Sequence, residues 1–189
     1  MLILVRHGQT DANANGLLLG RMDVELNERG RAQAAALAEH LPRPDRVIAS
    51  PLLRARTTAE AFGRTVDVDD RWIELDYGEL DGHPLAAIDD EAWRTWRSDI
   101  GFAPPGGESL ASLGRRVRAA CDELAVAAAA GDIVVVSHVS PIKAAIAWAL
   151  GVGDEIAWRM FVADAGVARI GFGPGGPSLR SLNERAGPR

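Results

Sequence analysis

A single cysteine, Cys121, is present in a chain of 189 residues, and one thiol closes no internal disulfide. It falls in an apolar helical stretch, where it reads as a buried bystander rather than a reactive group. No apolar run approaches membrane-spanning length, and only Leu2 to Val5 precede Arg6, too few for the core of a signal peptide. A cytoplasmic protein, neither exported nor inserted, is therefore expected. Excess positive charge is also missing. The formal net charge is -5, so the surface as a whole repels nucleic acid and anionic membranes, and any anion site has to be local. No long polar linker divides the chain, so one domain over residues 1–189 is expected.

What is present is ordinary globular material. Hydrophobic residues make up 47% and charged residues 25%, enough apolar mass for a core without staples. Leu2 to Val5 predicts a buried strand, followed by a polar loop from Gly8 to Gly20. Asn27 predicts the N-cap of a helix to about Leu41, stopped by Pro42 and Pro44. Arg46 to Ala49 predicts a second strand, and Ser50-Pro51 a cap and first-turn proline for a helix reaching about Phe62. Val66 to Val68 predicts a short third strand, Trp72 to Pro84 an acidic loop, and Ile88 to Trp96 a helix whose first turn is Asp89, Asp90 and Glu91.

After the break at Pro104 to Gly107, Ser109 to Ala130 predicts a long amphipathic helix stopped by Gly131. Ile133 to Val136 is the clearest buried strand, Pro141 to Leu150 a further helix, and Val167 to Phe172 another strand. An edge strand and a frayed tail are expected beyond Gly173 to Pro177. Strands alternating with helices imply a three-layer α/β/α sandwich around a mostly parallel sheet.

In such sheets ligands settle outside the C-terminal strand ends. The first strand ends in Arg6-His7-Gly8, the second in Ser50-Pro51 with Arg54 one turn further, and the Ile133 strand in Ser137-His138. Two histidines and two arginines thus converge on one edge. Arginine is always charged and presents a fork of donors suited to a phosphoryl group. Guanidinium groups beside His7 and His138 would repel a dication, and no acidic residue sits at helical spacing from either histidine, so neither metal nor cofactor is expected. A neutral imidazole is a competent nucleophile toward phosphorus, which makes His7 the candidate to carry a phosphohistidine. Glu74 is the candidate general acid for the leaving alkoxide, although Asp76, Glu79 and Asp81 crowd the same loop. His40 and His83 read as surface residues. Trp93 and Trp96 read as packing of a core or lid in preference to a pocket entrance.

Arg6-His7-Gly8-Gln9-Thr10 with Asn13, then Ser50-Pro51-Leu52-Leu53-Arg54-Ala55, then Glu74-Leu75-Asp76-Tyr77-Gly78, and finally Ser137-His138, resemble in order and spacing the motifs of the histidine phosphatase superfamily, which includes the cofactor-dependent phosphoglycerate mutases. Gly20 to Gly30, Pro104 to Ser109 and Leu182-Asn183 resemble further family segments. The resemblance implies that His7 accepts the phosphoryl group, that Arg6, Arg54 and His138 bind it, that Asn13 helps to orient it, and that Glu74 protonates the leaving group. One departure is Val139-Ser140-Pro141, where many members have glycine after the second histidine. The leading expectation is a phosphomonoesterase acting on a small phosphate ester. A phosphoglycerate mutase and a non-catalytic phospholigand-binding module are the alternatives, and a homodimer is left open.

Overall fold

Two strands have the most continuous apolar sequence, and they take the centre of the sheet. Every residue of β4 (Ile133–Ser137) is buried, as are Leu2 to Val5 of β1 (Leu2–Arg6). In the computed structural model, which describes residues 1–186, these strands pair in parallel. On one side β2 (Arg46–Ala49) adds to β4, and β3 (Val66–Val68) to β2, both parallel. On the other side β5 (Val167–Gly173) pairs antiparallel with β1, and β6 (Gly176–Glu184) closes the edge as its hairpin partner. The order is β3-β2-β4-β1-β5-β6.

Because successive strand residues face opposite sides, each central strand feeds two cores. Leu2, Leu4, Ile133 and Val135 pack with α5 (Leu110–Ala130) and α6 (Val139–Leu150). Ile3, Val5, Val134 and Val136 pack with α2 (Glu28–His40) and α3 (Leu53–Glu60). This is the α/β/α sandwich expected from the alternation of elements. Cys121 is buried within α5. Among the described residues, no helix is long and apolar enough to cross a membrane.

Several boundaries differ from expectation for local reasons. The stretch from Gly8 to Gly20 contains a short helix, α1 (Asp11–Ala14), closed by a capping box in which Thr10 and Asn13 exchange bonds. α4 (Asp90–Ser98) starts after Asp89, whose carboxylate caps it. Ser50 is not the cap residue: α3 begins at Leu53 with Leu52 in that place, and the Ser50 hydroxyl accepts only a long bond from the Leu52 N–H, at 3.4 Å, while it lies 2.7 Å from His138. α6 begins at Val139, two residues before Pro141, because a first-turn residue donates no intrahelical bond and a proline is tolerated there. Of the tail expected after β6, residues 187–189 lie outside the described residues.

One close approach fixes the loop after β1. A Cβ added to Gly8 would lie 2.4 Å from the Gly30 carbonyl oxygen, and one on Gly30 would lie 2.1 Å from the Gln9 carbonyl oxygen. The loop therefore rests directly on the first turn of α2, where the Asn27 N–H also donates to the Gln9 carbonyl at 3.0 Å. A Gly30→Ala variant has to push this loop away, at a cost of about 1–3 kcal/mol. A lowered urea midpoint together with lost activity is expected; an unchanged midpoint would show that the contact can relax freely.

Candidate active site

Strand register brings the two histidines together. β1 and β4 pair Arg6 with Ser137, so the next residues, His7 and His138, emerge side by side with ring centroids 5.0 Å apart. β2 pairs Ala49 with Val136, which sets Ser50 level with Ser137, one residue before His138. The Ser50 hydroxyl lies 2.7 Å from His138 Nε2. His138 Nδ1 is buried without a partner among the described residues.

His7 Nδ1 lies 2.7 Å from the Gly8 carbonyl oxygen. A carbonyl only accepts, so Nδ1 carries the proton and Nε2 holds the free lone pair, toward which Arg54 Nε donates at 3.3 Å. Burial is the largest influence holding the His7 pKa well below its ordinary value, followed by the charges of Arg54 and Arg6; the bond to the Gly8 carbonyl opposes them. His138 is depressed in the same direction, by burial and then by Arg54. Both rings are neutral in the fold.

These depressed values link stability to pH. An unfolded imidazole titrates near about 6.5, so as pH falls through that value the unfolded chain takes up protons that the folded one refuses, and stability is lost. In a His138→Gln variant the urea midpoint is expected to fall less than in the parent between about pH 7 and pH 5.5. Equal slopes would mean that His138 titrates normally in the fold.

Arg54 is fully buried, and Thr58, one turn on, accepts from the Gly8 N–H at 3.1 Å while donating to the Arg54 carbonyl at 2.7 Å. The guanidinium gives one hydrogen each to His7, to the Met22 carbonyl at 2.7 Å and to the Gly20 carbonyl at 2.6 Å. Three of its five hydrogens are thereby committed and two remain for a ligand. Burial lowers its pKa to about 10, which leaves it charged at neutral pH. Arg6 is held by the Val162 carbonyl at 2.8 Å and by Asp164 at 2.9 Å, and its buried Nε is unpartnered among the described residues.

Glu74 separates cleanly from the other acids of its loop. Asp81 accepts from the backbone N–H groups of Gly20, Arg21 and Met22, Asp76 from Gly78, and Glu79 is exposed. Glu74 is 3% exposed and lines the same cavity as His7. Its carboxylate accepts from the N–H of Leu75 at 2.7 Å and of Ser140 at 3.2 Å. Burial raises its pKa, and these bonds only partly offset the shift. The Ser140 N–H belongs to the first turn of α6, so the Val139-Ser140-Pro141 segment serves the acid directly. Asn13 lines the cavity with its Oδ1 occupied by Thr10, which leaves its amide N–H2 facing no protein acceptor among the described residues.

The cavity holding Arg6, His7, Asn13 and Glu74 encloses about 790 Å³. Trp96 is buried in the core with Trp93 stacked on it, as the packing reading expects, and both also line this cavity. His40 and His83 are exposed, as expected. Among the described residues, no three His, Cys, Asp or Glu side chains come close enough to hold a metal ion.

A model of the histidine phosphatase superfamily, branch 1, matches residues 2–185. The chain belongs to that superfamily. The chain is 37% identical to a bifunctional protein of Mycobacterium tuberculosis, the match covering 97% of the chain and 53% of that relative, so it spans about half the relative's length. Its fold superposes on phosphoserine phosphatase from Entamoeba histolytica, solved with 3-phosphoglyceric acid, with a TM-score of 0.89 and 28% identity over 97% of this chain and 96% of that one. A mycobacterial glucosyl-3-phosphoglycerate phosphatase solved with VO3 gives a TM-score of 0.85 and 32% identity over 97% of both chains.

Thr58 and Asp164 were not singled out from the sequence, and Ser50 only as a helix cap and as part of a motif. Thr58 carries a usable signal, four residues after Arg54 on one helix face. Asp164 carries none, since its partner Arg6 lies 158 positions earlier in the chain.

Proposed function

We propose that this protein is a metal-independent phosphomonoester hydrolase acting through a phosphohistidine on small phosphate esters. The observation that carries this reading is the setting of His7: a buried imidazole whose Nδ1 is held by the Gly8 carbonyl, with Nε2 turned to Arg54. In this reading His7 Nε2 attacks phosphorus, the ester P–O bond breaks, and protonated Glu74 gives its proton to the leaving oxygen. The uncommitted hydrogens of Arg54 and Arg6, with His138 and Asn13, hold the phosphoryl oxygens as charge spreads over them. Water then attacks the phosphohistidine, its proton passes to the Glu74 carboxylate, the N–P bond breaks, and inorganic phosphate leaves. The names of two relatives, phosphoserine phosphatase and glucosyl-3-phosphoglycerate phosphatase, support ester hydrolysis, and that of a third, a probable phosphoglycerate mutase, makes isomerisation the reading the assay below has to exclude.

The protein, exhaustively treated with EDTA, is expected to release phosphate from small esters. Given 3-phosphoglycerate and catalytic 2,3-bisphosphoglycerate, it should form little 2-phosphoglycerate. Activity that returns only with zinc or magnesium would move the chemistry to a metal. Rapid isomerisation with negligible free phosphate would make the protein a mutase, and inertness toward a broad ester panel would make it a binding module.

A further inference from the structure

The cavity extends well beyond the groups that hold phosphate, and its volume suits a ligand larger than a three-carbon phosphate. Beyond Glu74 it reaches Lys143, the only lysine in the chain and the only charged residue of α6. The helix around it is buried, with Ile142, Ala144, Ala145 and Ile146 all inside the core. Lys143 is partly buried and lies within hydrogen-bond or ion-pair distance of no side chain among the described residues. Burial, the largest influence, holds its pKa below the ordinary value, the charge of Glu74 opposes this and that of Arg6 adds to it, and an anion arriving from the cavity would offset the cost of burial. Arg29 and Arg185 also line the cavity, but both are exposed and solvated.

The wall beside this lysine is aromatic. Trp93 and Trp96 stack at 5.6 Å, and Trp158 stands edge-on to them at 6.3 Å and 6.1 Å. The indole N–H groups of Trp96 and Trp158 are buried and unpartnered among the described residues. Phe161 and Leu85, 70% and 41% exposed, carry the apolar lining to the rim. A lone ammonium is a point charge matched to a single negative group; a second phosphoryl would call for an arginine cluster such as the one around His7.

We propose that Lys143 binds a carboxylate on the leaving group, and that the substrate is the phosphate monoester of a bulky, flat hydroxy acid whose apolar body packs on Trp93, Trp96 and Trp158. This rests on the phosphatase reading above. The test compares 4-carboxyphenyl phosphate with its neutral isostere, 4-carbamoylphenyl phosphate, so that differences in leaving-group chemistry cancel between enzyme variants. In the parent, kcat/KM for the carboxylate ester is expected to exceed that for the amide by on the order of 10-fold or more. The ratio should fall to near one in Lys143→Met and be partly restored in Lys143→Arg. A parent ratio near one, a ratio unchanged in Lys143→Met, or equal losses on both esters would overturn the subsite while phosphate release leaves the phosphatase reading standing. If neither ester is turned over, the broad ester panel decides the phosphatase reading, and the same two esters are titrated by quenching of tryptophan fluorescence. Tighter binding of the carboxylate that is lost in Lys143→Met would keep the subsite, and equal binding would overturn it.

Discussion

Replacing His7 with alanine is expected to remove phosphate release from every ester, a loss on the order of 10⁴-fold or more, with cooperative unfolding retained. The loss is large because the proposed route has no second nucleophile. His138, the other imidazole at the strand ends, is tied through Nε2 to Ser50, while its Nδ1 has no partner among the described residues to fix the proton. The fold should survive because His7 contributes no large apolar volume to either core. What the variant leaves behind is an unanswered Arg54 Nε–H, worth about 1–3 kcal/mol of stability. Steady-state rates and a urea titration on one preparation measure both effects. The intact mass after brief mixing with substrate should show a phosphoryl adduct in the parent and none in the variant. A variant that keeps most of its rate would sink the assignment of His7.

A Glu74→Gln variant should separate substrates by their leaving groups. An alkoxide needs a proton as the ester bond breaks, and loss of the acid costs roughly 10²- to 10⁴-fold. Nitrophenolate leaves unaided, so nitrophenyl phosphate should lose far less. Glutamine keeps the shape and still accepts from the Leu75 and Ser140 N–H groups, so the local structure is preserved. Equal losses on both substrates would show that Glu74 positions the site without supplying the proton. Asp76 and Asp81 are poor replacements, since Glu74 lines the cavity with His7 and they do not, their carboxylates being turned to the backbone N–H groups of Gly78 and of Gly20 to Met22.

The parallel core of the sheet was legible because burial on both faces leaves a plain mark, continuous runs of branched residues such as Leu2 to Val5 and Ile133 to Val136. Positions at the strand ends followed from topology, so His7, His138 and Arg6 could be placed together without coordinates. Glu74 was only half legible. Four acids share its loop, and what distinguishes it is the direction each carboxylate takes, set by backbone N–H groups from Gly20 to Met22 and from Ser140 that lie far away in sequence. Ser50 was misread for a similar reason. A serine before a proline has the pattern of a helix cap, and only the neighbouring strand's register shows that its hydroxyl has a better partner in His138. The wall of the leaving-group end was least legible, because tryptophans at helical spacing look the same whether they pack inward or border a cavity.

The two ends of the cavity are built from different parts of the molecule. His7, Ser50 and His138 stand on the ends of three neighbouring central strands, whereas the aromatic wall comes from α4 and the turn around Trp158, segments that lie outside the sheet. Substitutions at the exposed rim, at Leu85 and Phe161, can therefore accumulate without moving the groups proposed to handle the phosphoryl transfer. A lineage carrying this fold is free to exchange one alcohol partner for another while its reactive centre stays fixed, and a protein engineer inherits the same freedom.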